Sequence, residues 1–319
     1  MKRWALLLGL ALVLAGCSSG EEPPPVVKPV AALDGSYIVE YDGTGTTNGA
    51  PVLGQSSGKA GWVFQTACDE DSCVAAGGMI ADPENPGAPL KDARVADYVD
   101  GRWVMIHRSE NVVTCTGPNG EELRADGWSI WDIAIAPDMS LRPTITTVGV
   151  GDCPSVNVVT PVMTRVADRL PEFPVPDPTQ QPPRTVAAAT GFHGSYTSTR
   201  TRRGQDAEPE VADRNVRTYC LRTGDRCATT ATTPGEPGAE FAHLSVFTFG
   251  DGKFVRSTIP LPSPCADGVP GAATEAQTLN LPAGTENPFP EVRGAVVKNF
   301  TAGCAGAEEY DVVYALRPA

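Results

Sequence analysis

Eight of the nine cysteines fall into two sets with one spacing, and this limits the fold more than any other feature of the chain. Cys68, Cys73, Cys115 and Cys153 recur as Cys220, Cys227, Cys265 and Cys304, at offsets of 152, 154, 150 and 151 residues. Other landmarks move by the same step. Asp34-Gly35-Ser36-Tyr37 returns as His193-Gly194-Ser195-Tyr196, and Val99-Asp100-Gly101-Arg102-Trp103 returns as Gly250-Asp251-Gly252-Lys253-Phe254. A shared spacing of cysteines, turn dipeptide and opening Gly-Ser-Tyr indicates a tandem duplication, so whatever one copy folds into the other must approximate.

Within each copy the pattern is strand-like. The first copy has eight candidate strands, at 36–41, 61–67, 73–80, 94–99, 102–107, 128–136, 142–149 and 156–166. The second has eight more, at 195–201, 216–223, 227–232, 244–249, 253–259, 276–281, 292–300 and 310–316. Val99-Asp100-Gly101-Arg102 is the clearest hairpin signal, an Asp-Gly pair between two runs of β-formers. Thirty prolines and thirty-three glycines among 319 residues favour turns over long helices. The expected fold is all-β: two tandem duplicated antiparallel eight-stranded meanders. Each is either a small closed barrel, which leaves no exposed edge, or a two-layer sandwich.

An even cysteine set in an exported chain implies disulfides, two to each copy. Cys68 and Cys73 have four residues between them and suit a hairpin crosslink, as do Cys220 and Cys227 with six. That leaves Cys115 with Cys153 and Cys265 with Cys304, stapling the loop after strand five to the loop before strand eight. The three histidines do not stand at finger spacing from a cysteine pair, so a zinc site is not expected.

The organisation along the chain follows: an export segment at 1–16, a tether at 17–33, a first β-domain at 34–168, a linker at 169–190 and a second β-domain at 191–319. The linker carries Pro171, Pro174, Pro176, Pro178, Pro182 and Pro183, which points to a semi-rigid extended spacer. Pro23-Pro24-Pro25 and Pro29 give the tether the same character, with a reach of roughly 40–50 Å in polyproline geometry. The net charge of −13 argues against nucleic acid as a partner. Residues 34–167 hold 18 acidic and 8 basic residues, and 191–319 hold 15 and 12, so the first half carries most of the negative charge.

Met1-Lys2-Arg3 precedes an apolar run from Trp4 to Leu14, too short to span a bilayer. The ending Leu14-Ala15-Gly16-Cys17 is similar to the lipobox of bacterial lipoproteins. That resemblance implies cleavage before Cys17, diacylation of its thiol with palmitate-type chains, and anchorage at the extracytoplasmic face of the cell membrane. Asp34-Gly35-Ser36-Tyr37, then Trp62-Val63-Phe64 with Cys68-x4-Cys73-Val74-Ala75, resembles uncharacterised lipoproteins of mycobacteria and related actinobacteria. Similar modules occur as extracytoplasmic regions of some actinobacterial serine/threonine kinases. The resemblance spans Asp34 to about Val166, and reaches the second copy only through its Gly-Ser-Tyr and cysteine skeleton. It implies an envelope lipoprotein with a sensing or binding role, and it supplies no catalytic residues.

Gly54-Gln55-Ser56-Ser57-Gly58 matches the serine-hydrolase elbow, but it sits in a Gly/Ser/Thr-rich connector with no helical pattern after it, and reads as a flexible loop. Asp69-Glu70-Asp71 offers three carboxylates on a hairpin tip, too few and wrongly spaced for a calcium loop. Arg222-Thr223-Gly224-Asp225-Arg226 is the oppositely charged tip of the second copy. His107, His193 and His243 lack an ordered acid partner in sequence. Arg200-Thr201-Arg202-Arg203 is a short basic cluster able to grip an anionic polymer or lipid headgroup. Alternation puts Trp131, Ile133 and Ile135 on one strand face and Trp128, Ile130 and Asp132 on the other, which makes Trp128 and Ile130 an expected exposed binding surface. The functional expectation is non-catalytic binding, sensing or scaffolding, without cofactor or metal and with an envelope ligand or protein as partner. A carrier of a small apolar ligand in a barrel and, in another class, an envelope serine hydrolase are the competing readings.

Overall fold

Strand begins at the duplicated Gly-Ser-Tyr in both halves. The computed structural model describes residues 32–318 apart from 71, 82–89, 137, 139, 169–173, 237 and 266–267. Cys17, the export segment and nearly all of the tether therefore lie outside the described residues.

The first sheet contains β1 (Gly35–Thr47), β2 (Ala50–Cys68), β3 (Cys73–Ile80), β4 (Leu90–Val99), β5 (Arg102–Thr116), β6 (Glu122–Ile135), β7 (Leu141–Gly149), β8 (Ser155–Val159) and β9 (Val162–Ala167). Neighbours in sequence pair antiparallel from β1 to β8. β1 also pairs with β8 and β9, which closes the sheet into a barrel. β8 and β9 together fill one strand position. The expected single strand at 156–166 is split there because Pro161 has no N–H to give to a ladder.

The second sheet contains β10 (Gly194–Arg202), β11 (Glu210–Cys220), β12 (Cys227–Thr233), β13 (His243–Gly250), β14 (Lys253–Ser257), the two-residue β15 (Leu261–Pro262), β16 (Ala272–Asn280), β17 (Glu291–Ala302) and β18 (Ala307–Leu316). β14 pairs directly with β16, and β18 returns to β10, so this sheet is also a closed barrel of eight strand positions. Of the two architectures that the strand count allowed, both copies adopt the barrel.

The same local physics starts each barrel. Gly35 has φ 107°, and a Cβ there would stand 2.5 Å from the Ala167 carbonyl oxygen. Its counterpart Gly194 has φ 115°. The residue two further on then turns inward: Tyr37 donates its hydroxyl to the Asp34 carbonyl at 3.0 Å, and Tyr196 donates to the Phe289 carbonyl at 2.8 Å. Hairpins close at Asp100-Gly101 and Asp251-Gly252, whose positive φ at both positions gives the turn that matches strand twist.

One stretch departs from expectation. The connector at 43–59 is the arm of a long hairpin turning at Asn48-Gly49, with φ 51° and 92°. Thr44–Thr47 pair with Ala50–Leu53, and Glu40–Asp42 with Ser57–Lys59 across a bulge, because an Asn-Gly turn sets register even where the flanking side chains are small.

The barrel interiors are packed. Trp62 stacks on Phe64 at 5.8 Å and meets Trp131 at 4.9 Å in the first. In the second, Phe192 touches the rings of Tyr196, Phe254 and Tyr314 at 5.2, 5.2 and 5.3 Å. Four disulfides join Cys68 to Cys73, Cys115 to Cys153, Cys220 to Cys227 and Cys265 to Cys304, two to each barrel.

Residues Ala31–Ala319 form one compact unit, because the barrels dock through their outer faces. Trp128, Ile130, Val148 and Val150 pack with Ala228 and Val246, flanked by Ile106, Tyr219, Leu221 and Leu244. The proline-rich segment is not a free-standing spacer either. Val175 packs on Val63 and Ile80, Pro178 is buried, and the Thr185 N–H donates to the Arg222 carbonyl at 2.9 Å.

Candidate functional site

The residues singled out in sequence are placed as follows. Trp128 and Ile130, expected as an exposed binding surface, are 2% and 4% accessible. Alternation correctly separates two faces of β6, but both are covered: one by the first barrel's own core, the other by the second barrel. The expectation of a free patch is thus corrected, since burying this apolar face is what holds the two barrels together. The Gly54–Gly58 motif lies inside β2, with Ser57 opposite Asp42 of β1. A residue mid-strand is not at the sharp strand-to-helix turn that a hydrolase nucleophile needs.

Asp69 accepts from the backbone N–H of Ser72 at 2.7 Å and from its hydroxyl at 3.1 Å, so it shapes the hairpin tip. Asp71 lies outside the described residues. No group of three or more His, Cys, Asp or Glu suited to a metal ion occurs among the described residues. The tip that contains Arg222 is turned onto the first barrel, where Arg222 meets Asp97. His107 is on β5, His193 precedes β10 with its Nδ1 2.8 Å from the Thr190 carbonyl, and His243 opens β13, so the three belong to different elements.

His243 and Arg200 of the basic cluster meet in a cavity of the second barrel. Strand alternation sends Arg200 inward with Tyr196 and Ser198, while Arg203, one residue past the end of β10, is outside and paired with Glu309 and Asp311. Around Arg200 the second barrel is polar at one end and aromatic at the other. The polar end holds a chamber of about 310 Å³, lined by Arg200, Arg214, His243, Arg256, Glu275 and Gln277 among others, with Tyr314 at its wall. The apolar space is filled by Phe192, Phe247, Phe254 and Leu279, each fully buried. The chamber left beside them is lined mainly by charged and polar side chains.

Glu275 is the hub of the chamber. It accepts from Arg200 Nη1 at 2.8 Å through one oxygen and from Arg256 Nη2 at 2.9 Å through the other. Burial pushes its carboxyl pKa up, but the two guanidiniums outweigh that and hold it below the ordinary value. Arg256, only 10% exposed, also donates from Nε to Gln277 Oε1 at 2.8 Å. The Arg200 guanidinium lies 3.8 Å from the centre of the Tyr310 ring. Arg214 donates to Thr233 Oγ1 and is hydrogen-bonded to Tyr314, and no ion pair of Arg214 occurs among the described residues. Burial lowers its pKa, and Arg256 adds to this. His243 is pushed down to about 4 by burial and by the neighbouring Arg214 and Arg256, so near neutral pH its ring is uncharged. Its Nε2 stands 2.8 Å from Ser245 Oγ.

The chamber adjoins a larger cleft of about 740 Å³ between the barrels, with His243, Ser245, Arg256 and Glu275 lining both. The far wall of that cleft belongs to the first barrel: Thr47, Asn48, Asp152 and the Cys115–Cys153 bridge. At its edge the Phe241 N–H donates to the Asn48 carbonyl at 2.7 Å, tying the β1–β2 hairpin tip to the segment that leads into His243. Of this site, sequence inspection found Arg200 and His243 but not Arg214, Arg256 or Glu275. The available signal was their alternation with Val216, Phe254 and Gln277, which places single charges on strand faces that are otherwise core.

Comparison with known proteins singles out the first barrel. Residues 29–180 match the family model of the PknI serine/threonine-protein kinase sensor domain. Over 181 residues the chain is 29% identical to the serine/threonine-protein kinase PknI of Mycobacterium bovis and of Mycobacterium tuberculosis, covering 52% of this chain. The match covers 29% of those kinases, so the chain accounts for less than a third of the length of its curated relatives. The monomeric M. tuberculosis PknI sensor domain aligns at 22% identity and a TM-score of 0.39, covering 48% of this chain and 99% of that one. The dimeric form aligns at 26% identity and a TM-score of 0.33, covering 38% and 80%. The first barrel is therefore similar in sequence to a kinase sensor module, as its Gly-Ser-Tyr and Trp-Val-Phe landmarks indicated.

Proposed function

We propose that this chain is a non-catalytic sensing protein on the extracytoplasmic side of a bacterial envelope, held to the membrane by acyl chains on Cys17. In this reading the second barrel receives a small polar ligand in its charged chamber. The first barrel, docked against it along a buried apolar seam, carries the state of that site to an envelope partner. The observation that carries the reading is the match of residues 29–180 to a kinase sensor domain, which coincides with a complete, closed and disulfide-bearing barrel. Eight paired cysteines support an oxidising compartment. The location of Gly54–Gly58 within a strand supports a non-catalytic role over the hydrolase reading.

The test is native mass spectrometry of the full chain, extracted in detergent from an actinobacterial host. The expected spectrum shows a chain shortened to Cys17 and bearing acyl mass, with Cys17→Ala unacylated and released from the membrane. Recovery of unacylated protein from the cytosol, or covalent labelling of Ser56 or Ser57 by a fluorophosphonate, would overturn the proposal.

A further inference from the structure

The chamber of the second barrel is lined by more positive than negative side chains, although the protein as a whole is strongly acidic. Arg200, Arg214 and Arg256 face the 310 Å³ chamber, and Glu275 is the acid among them. Both oxygens of Glu275 are already engaged by Arg200 and Arg256. The remaining acid, Glu210, is at the rim, 69% exposed and 3.9 Å from Arg200 Nε. Arg200 Nε is itself buried and without a hydrogen-bond partner. Arg214 donates to a hydroxyl and neighbours a phenol, and Arg256 adds repulsion from inside the barrel. Arg214 is half-buried, and a partly desolvated guanidinium without an ion pair is stabilised by an anion that supplies one.

We infer that the chamber is a binding site for a small oxyanion, of the class shared by carboxylates and phosphates, held by Arg214 and Arg200. This rests on the reading of the second barrel as the ligand-receiving half. Guanidinium N–H groups match both kinds of oxyanion with short, charge-assisted hydrogen bonds. The Glu275 carboxylate orients Arg200 and Arg256 and is not itself a ligand to the anion. His243, uncharged and held near Ser245, adds a hydrogen-bonding edge without adding charge. A volume of 310 Å³ holds about ten waters, which fits a small organic acid or phosphate monoester. The cleft between the barrels adjoins the chamber, so an anion there sits beside the segment that Asn48 of the sensor-like barrel grips.

The test is isothermal titration calorimetry of the full chain in detergent with inorganic phosphate, sulfate and succinate. Glucose and choline serve as neutral and cationic controls. The expected result is saturable binding of at least one oxyanion and none of either control. Phosphate against succinate separates the two oxyanion sources. Arg214→Gln should weaken that binding at least about tenfold, while the exposed Lys253→Gln leaves it unchanged. Should Arg214→Gln fail to fold by circular dichroism, Ala212→Asp serves instead: a carboxylate placed at the chamber wall should abolish anion binding in a folded protein.

Anion binding of undiminished affinity in Arg214→Gln or Ala212→Asp would overturn the site assignment. Binding of glucose or choline with no oxyanion bound up to roughly 10 mM would overturn the ligand class and leave the receptor reading standing. No binding by any probe, with no small molecule retained in the native spectrum, would overturn both.

Discussion

Arg222, at the turn between β11 and β12, donates from Nε to both carboxylate oxygens of Asp97 on β4, at 2.9 and 3.2 Å. The two residues belong to different barrels, and both side chains are largely shielded from solvent, with 16% and 12% exposure. Arg184 of the proline-rich segment stands 4.0 Å from the same carboxylate. One acid thus gathers three parts of the chain: first barrel, connecting segment and second barrel.

Asp97→Ala should therefore destabilise the assembly beyond the loss of a surface pair, because it leaves the largely shielded Arg222 guanidinium without its carboxylate. The expected cost is about 1.5–3 kcal/mol. Thermal unfolding of Asp97→Ala, Arg222→Ala and the double variant checks this. The double variant should cost less than the two single losses added together, since Asp97 and Arg222 act as a pair.

Trp128→Ala should lower stability by about 3–5 kcal/mol, as expected for deleting a buried aromatic side chain. Trp128 lies in the seam rather than inside one barrel, so denaturant unfolding should change from one transition to two as the barrels uncouple. A single transition with unchanged midpoint would show that the seam contributes little.

The disulfides should differ in worth. Cys115–Cys153 spans 38 residues and Cys68–Cys73 spans 5. Loop-closure entropy assigns about 4 kcal/mol to the first and about 2 kcal/mol to the second. The paired serine variants Cys115→Ser/Cys153→Ser and Cys68→Ser/Cys73→Ser, compared by chemical denaturation, measure the difference directly.

Acid should weaken the second barrel through His243. Its pKa is near 4 in the fold, against 6.5 for an ordinary histidine, so between those values the unfolded chain binds the additional proton. Its contribution is therefore complete above pH 6.5 and is lost as pH falls from 6.5 towards 4. Glu275, held below the ordinary carboxylate range by Arg200 and Arg256 against the effect of burial, adds a loss in the same direction at lower pH. His243→Gln should flatten the stability profile between pH 6.5 and 4, measured by urea denaturation at stepped pH.

Much of the strand pattern was legible along the chain because strands and tight turns are local. Cys73 and Ile80 bound both the expected third strand and β3, and Asp100-Gly101 turns where its dipeptide implies. The long β1–β2 hairpin was not legible from side-chain hydrophobicity, since its Gly, Ser and Thr residues are paired through backbone groups that any residue possesses. Asn48-Gly49 was the one local sign of it. In the chamber, Arg200 looked like part of a surface cluster because Arg203, three residues later, is one. The twofold period of β10 turns Arg200 inward, whereas Arg203 lies just past the end of the strand.

The sequence alone determined that there would be two copies, built of strands, each with its own cysteine set, because duplication and alternation are written residue by residue. In strands such as β6 it also marked two distinguishable faces. What those faces would meet was decided only by the tertiary structure. Barrel closure turns one face of each strand inward, and residues far apart in the chain then fill that interior or leave it polar. Docking of the second barrel covers Trp128 and Ile130 for the same reason: contact is set by three-dimensional adjacency, and alternation carries no record of what lies opposite.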